Sequence, residues 1–226
     1  MTTVLHSLRL VDDGIVTDDP VEAIARAQAV IDFTAPAATV AFAELAAQAR
    51  AVHVIGTTGL GPDNQAAIDK AARSIPVLQA ANTALGVTLL AELVEQAARA
   101  LDTGWDIEIV ELHHKHKVDA PSGTALYLGE AAARGRGKRL DELMIPPHTS
   151  TSGARRAGGI GFASLRGGSA AGEHKVILAG EGERLELGHV AESREIFARG
   201  AVKAARWLSS QKPGRYRMAD IFGLKS

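Results

Sequence analysis

The first ninety residues alternate short apolar runs with longer alanine-rich stretches, the pattern of strands buried on both faces and joined by crossover helices. Ala29-Val30-Ile31-Asp32-Phe33, Val52-His53-Val54-Ile55 and Pro76-Val77-Leu78 read as strands, with helices between them over Thr39 to Arg50 and Pro62 to Arg73. That order predicts a parallel sheet. Leu85 to Leu101 reads as a longer helix that carries the chain out of this layer, with Leu85, Leu89, Leu93 and Ala97 on one stripe.

From Trp105 the period drops to two. Ile107 and Ile109 alternate with Asp106 and Glu108, which predicts a half-exposed strand running into the polar segment Glu111 to Lys117. A helix follows from Ser122 to about Arg134. Gly135 to Gly159 is rich in Gly, Pro, Ser, Thr and Arg and reads as a long loop. Three strands come next, near Ile160-Leu165, His174-Ala179 and Arg184-Val190. A last helix begins after the candidate cap Ser193, with Ile196, Phe197, Ala201, Ala204, Ala205 and Leu208 on one side. A parallel α/β unit is thus followed by a mixed or antiparallel α+β unit and a closing helix, with no internal repeat.

Composition narrows the function classes. The 226 residues are 46% hydrophobic and 23% charged with a formal charge of -1, so no global field recruits nucleic acid or anionic lipid, and small molecules are the expected partners. The absence of cysteine removes disulfides, thiolate metal sites and cysteine nucleophiles. The apolar runs are too short for a membrane span, and Met1 to Leu10 lacks the form of a secretory signal, so the expectation is a cytoplasmic protein without membrane partners.

The chemistry concentrates in Glu111-Leu112-His113-His114-Lys115-His116-Lys117-Val118-Asp119-Ala120-Pro121-Ser122-Gly123-Thr124-Ala125. Three histidines and two lysines between a strand and a helix start suit a site that handles protons or anions. Ser122 is a good N-cap, which would leave the amides of Gly123 and Thr124 as unpaired donors for a carboxylate or phosphate. A solvated basic strand end is the plain alternative. A metal site is the other rival, because His114 and His116 alternate to one side of an extended strand and Glu111 could add oxygen. Lys115 and Lys117 would set ammonium charge beside the dication, so no metal is expected. Gly56-Thr57-Thr58-Gly59 follows a strand directly, where ligands of open α/β sheets lie; alone it reads more readily as a simple strand-to-helix turn.

These motifs resemble the 4-hydroxy-tetrahydrodipicolinate reductase (dihydrodipicolinate reductase) family. The resemblance extends from about Ile15 onward, through Ile31-Asp32-Phe33-Thr34-Ala35-Pro36, Gly56-Thr57-Thr58-Gly59, Gly172-Glu173-His174, Ser193-Arg194 and Phe197-Ala198-Arg199-Gly200-Ala201. It implies reduction of a cyclic imine dicarboxylate by NADH or NADPH in diaminopimelate and lysine biosynthesis. It implies His113 as proton donor and acceptor, Lys117 as second proton donor, and His114, Gly123 and Thr124 as substrate contacts. Gly56, Thr57, Thr58, Ala80, Ala81, Asn82 and Thr83 would contact the cofactor, with Ala84 in place of a serine common in the family. Arg166, Glu173, His174 and Arg194 are read as structural. The implied fold is α/β, a truncated Rossmann-like parallel-sheet domain over 1–84 and 194–226. An α+β substrate and oligomerisation domain with a mixed open sheet spans 85–193, in a homotetramer.

Met1 to Gly14 contains no glycine-rich turn of the kind with which the family opens. The expectation for the chain as written is weak dinucleotide binding at the pyrophosphate, and two readings follow: a fragment or misplaced start of a reductase with the family's function, or a truncated, non-catalytic homologue that binds dicarboxylates or assembles with other subunits.

Overall fold

The computed structural model describes residues 16–149 and 153–223. The expected absence of a glycine-rich turn before Gly14 falls outside these residues.

The chain folds as two sheets. The first element among the described residues is α1 (Pro20–Ala25), whose N-cap Asp19 accepts the Val21 and Glu22 amides. Strands β1 (Ala29–Asp32), β2 (Val52–Ile55) and β3 (Pro76–Gln79) follow, linked by α2 (Pro36–Ala49) and α3 (Pro62–Ala72). They pair in parallel, as their apolar character predicts, and the short β8 (Gly214–Tyr216) adds to β3, giving the order β1-β2-β3-β8. On one face, Ala43, Ala46, Ile68 and Ala72 of α2 and α3 pack on Ile55 and Val77. On the other, Ala201, Ala204, Ala205 and Leu208 of α7 (Glu195–Leu208) cover Val54 and Leu78. Burial on both sides explains why these strands read as continuous apolar runs.

The second sheet has the order β5-β4-β6-β7, built from β4 (Asp106–His113), β5 (Ile160–Arg166), β6 (Glu173–Ala179) and β7 (Arg184–Val190). It is mixed: β4 runs parallel to β5 and antiparallel to β6. Its inner face carries Ile107, Ile109, Ile160, Phe162, Val176 and Leu178 against α4 (Leu85–Ala100) and α5 (Gly123–Gly135).

Four expectations need correction. The buried side of α4 is Val87, Thr88, Leu90, Ala91, Val94 and Ala98, whereas Leu89 and Leu93 are 39% and 43% exposed. The buried side therefore runs through positions 87, 90, 91, 94 and 98, and at its end the helices approach closely, since a Cβ on Gly135 of α5 would lie 2.4 Å from the Glu95 carbonyl oxygen. The cap residue of α7 is Arg194, not Ser193, although Ser193 Oγ still accepts the Glu195 amide at 3.3 Å. Gly135 to Gly159 is no free loop. It holds α6 (Leu140–Leu143), and Arg155 ties it to β4 through Asp106 at 2.7 Å and Glu108 at 2.8 Å. Finally, β4 ends at His113, and Lys117 N–H closes a turn onto the His114 carbonyl at 3.1 Å. His114 and His116 therefore do not share a strand face.

Candidate active site

The site forms where the carboxyl ends of β2 and β3 meet the end of β4 and the start of α5. Along β4, residues 107, 109, 111 and 113 all point inward, so after two isoleucines the buried face continues with Glu111 (1% exposed) and His113 (8% exposed). A carboxylate this deep needs partners. Arg166, opposite His113 on β5, supplies them: Nη1 and Nη2 donate to Oε2 and Oε1, each at 2.9 Å. Arg166 Nη2 also donates to the Asp119 carbonyl at 2.6 Å, which fixes the segment leading to α5. The Ser122 amide donates to Glu111 Oε1 at 3.3 Å. The remaining contact is a short hydrogen bond between Glu111 Oε2 and His113 Nδ1. Burial would raise the Glu111 pKa, but hydrogen bonds from Arg166, Ser164 and His113 outweigh it and hold the group at about 2.

His174 of β6 stands edge-on to His113, ring centres 5.1 Å apart, with Nε2 3.1 Å from Ser122 Oγ. Burial, reinforced by the like charge of His113, pushes its pKa down to about 4, so it is neutral at physiological pH. Ser122 caps α5 as expected, accepting the Ala125 amide at 3.1 Å. The preceding amides, of Gly123 and Thr124, begin the helix without backbone partners. A Cβ built on Gly123 meets nothing within 4 Å.

These groups border a cavity of about 560 Å³, lined by His113, His114, Lys117, Gly123 and Thr124 on one side and Thr58, Ala81 and Asn82 on the other. Lys117 Nζ pairs with the Asp119 carboxylate at 2.7 and 2.8 Å. Asn82 spans the two sides: Nδ2 donates to Thr124 Oγ1 at 3.0 Å, and Oδ1 accepts the Ala84 amide at 2.8 Å. An adjoining hollow of about 460 Å³ runs along Thr57, Thr58, Gly59 and Ala81. Three expected residues sit behind the wall. Gly56 lies under the Phe33 ring with its amide on the Asp32 carbonyl at 2.7 Å, the Ala80 amide bonds the Ile55 carbonyl at 2.9 Å, and Thr83 Oγ1 donates to the Phe197 carbonyl at 2.8 Å. Arg194, Tyr127 and Ser169, not singled out as site residues from the sequence, also line the cavity. The sequence suggests Glu111 only as a metal ligand; the two-residue alternation from Ile107, extended to 111, is the signal that could have found it inside.

Residues 5–83 match the family described as dihydrodipicolinate reductase, N-terminus, and residues 86–222 the one described as dihydrodipicolinate reductase, C-terminus. The chain is 61% identical over 210 residues to a 4-hydroxy-tetrahydrodipicolinate reductase of Rhizobium meliloti (strain 1021), covering 92% of this chain and 77% of that protein. A protein of the same description from Ruegeria pomeroyi is 58% identical over 209 residues, covering 92% and 78%. Among solved structures, the dipicolinate-bound dihydrodipicolinate reductase from Paenisporosarcina sp. TG-14 superposes with a TM-score of 0.70 at 26% identity, over 84% of this chain and 71% of that one.

Proposed function

From the premise that this chain belongs to the dihydrodipicolinate reductase family, we propose which of its groups carry the family's reaction. It catalyses the NAD(P)H-dependent reduction of 4-hydroxy-tetrahydrodipicolinate (dihydrodipicolinate) to tetrahydrodipicolinate, in diaminopimelate and lysine biosynthesis. A non-catalytic homologue is not favoured, since the relatives that match 92% of the chain are reductases.

The observation that carries the assignment is convergence: the ends of β2 and β3 and the β4–α5 segment face one cavity from opposite sides. The residues fit the nicotinamide end of a dinucleotide, because Thr58 and Ala81 border both hollows and small side chains leave the strand ends open. Gly56, Thr57, Thr58, Ala80, Ala81, Asn82 and Thr83 would hold it, Gly56, Ala80 and Thr83 from behind. Reduced nicotinamide, bound there, supplies a hydride.

The chain's own groups do the rest. His113 keeps Nδ1 on Glu111 and offers Nε2 to exchange a proton at the cavity; Lys117 is the second proton donor, steadied by Asp119. His114 and the first-turn amides of Gly123 and Thr124 take the carboxylates of the substrate, where the helix dipole favours negative charge. His113→Ala and Lys117→Ala should each lower kcat by about 10²- to 10⁴-fold with smaller effects on cofactor affinity. Oxidation of the reduced cofactor and fluorescence titration measure the two quantities; unchanged turnover in both variants overturns the assignment.

We further propose that residues 1–84 with 194–226 hold the dinucleotide and residues 85–193 bind substrate, that NADH or NADPH serves as reductant, and that the chain works in the cytoplasm as a homotetramer. Support for the assembly comes from the helix-free face of the second sheet, where Leu165 and Val190 are 52% and 61% exposed beside Val110 and Leu112. No helix among the described residues is long and apolar enough to cross a membrane. Parallel titrations with NADH and NADPH decide the preference, and sedimentation the assembly.

A further inference from the structure

We infer that Glu111, clamped by Arg166, is the positioning residue of the reaction: it sets the tautomer and aim of His113, so that the unit that moves the proton is the triplet Arg166–Glu111–His113. The inference rests on the reading of His113 as proton carrier and adds two residues to it.

Three observations carry it. First, Glu111 has no exit. It is 1% exposed, both oxygens are taken by the Arg166 fork, and the Ser122 amide adds to one of them. A carboxylate held at so many points cannot swing, so a ring bonded to it cannot swing either. Second, Glu111 is ionised and therefore only accepts, which obliges His113 Nδ1 to carry the hydrogen of their contact and leaves Nε2 as the nitrogen free to give or take a proton. Third, nothing in packing alone requires charge here. The same inward row of β4 is filled by isoleucine at 107 and 109, and an apolar residue at 111 would continue the core without a buried ion. The charged set appears only where the row reaches the cavity.

A purely structural ion pair would couple to folding and leave kinetics per folded molecule alone. Kinetic variants of the full chain separate the two. Glu111→Gln keeps shape and one acceptor, and it should lower kcat about 10²-fold while leaving KM for the reduced cofactor within about twofold. Should Glu111→Gln fold poorly, Arg166→Lys replaces the two-point grip by a single contact and should lower kcat about tenfold with the same KM pattern. The decisive arm is the pair: Glu111→Gln added to His113→Ala should cause no further loss, because a residue that acts through another has nothing left to act on. Nitrogen-15 spectra of the His113 ring should report hydrogen at Nδ1 in the parent chain and a return toward Nε2 in Glu111→Ala. Full turnover in both Glu111→Gln and Arg166→Lys, beside a crippled His113→Ala, overturns the inference and leaves the proton-carrier reading standing. A His113→Ala chain that turns over normally overturns that reading, and this inference with it.

Discussion

Each sheet buries one carboxylate beside a histidine, and the two arrangements part at a single point. Asp32, at the end of β1, is 2% exposed; its Oδ1 accepts the Thr34 amide at 3.0 Å, the Thr34 hydroxyl at 2.5 Å and the Thr57 hydroxyl at 3.2 Å. His53 Nε2 stands 3.6 Å from Oδ2, farther than a hydrogen bond, with neither side chain exposed. Glu111 lies as deep, but its histidine opens onto the cavity. Contacts from His53, Thr34 and Thr39 outweigh burial and hold Asp32 at about 2, the same value as Glu111. Depth and acidity therefore do not separate a staple from the proposed proton-transfer device. What separates them is whether the partner imidazole reaches space that a substrate can enter.

The sharpest way to break this contrast is to remove the two histidines in turn. His113→Ala should lower kcat by about 10²- to 10⁴-fold, whereas His53→Ala should cost about 1–3 kcal/mol of stability and leave kcat per folded molecule within a few-fold. Kinetics normalised to folded protein, with denaturant unfolding alongside, checks both; equal kinetic damage would dissolve the distinction. Next in size is a pH effect confined to the second sheet. The folded-state pKa of His174, about 4, lies below its ordinary 6.5, so as pH falls the unfolded chain takes up the proton first. Its contribution is complete above about pH 6.5 and declines toward pH 4, by up to about 3.5 kcal/mol at 1.4 kcal/mol per pKa unit. Glu111 and Asp32 are depressed carboxylates, whose contributions fade only below their ordinary 4.5 and 3.8, on the way to about 2. Melting temperatures of His174→Gln should thus be flatter than those of the parent between pH 6.5 and 4 and parallel to them below. Asp32→Asn comes third. By loosening Thr34 and Thr57 it should raise KM for the reduced cofactor about tenfold, near 1.4 kcal/mol, with little change in kcat. The smallest effect is expected from Gly123→Ala, whose methyl enters open space at the mouth of the cavity: substrate KM should rise about threefold to tenfold at unchanged melting temperature.

Much of the fold was legible because its periods are strong. The three short apolar strands and the helices between them follow from burial on both faces, and β4 from its alternation. The α4 stripe misled because the helix is apolar on more than one side: Leu90 lies on the buried face with Val87 and Val94, while Leu89 and Leu93 sit on the neighbouring one. Elements as short as α1 and β8 are too brief to show a period. Of the site, the Glu111 to Ala125 segment announced its own chemistry. The partners that tune it did not: Arg166 is 55 residues from Glu111, and His174 is 52 from Ser122, distances that only sheet pairing closes. Glu111 opens a segment that reads as polar, and the two-residue rhythm of Ile107 and Ile109 continues through it and buries it all the same.

The bond from Asn82 to Thr124 has a metrical consequence. The loop after β3 and the first turn of α5 pack with different sheets, yet the Asn82 amide bridges them, donating to Thr124 Oγ1 at 3.0 Å while its Oδ1 holds its own loop through the Ala84 amide. Any rocking of one half against the other about the start of α4 must carry both jaws or break this link. Asn82 thereby acts as a caliper between the two halves: on the proposed placement of cofactor and substrate, a shorter residue there would leave the jaws correctly shaped but wrongly set.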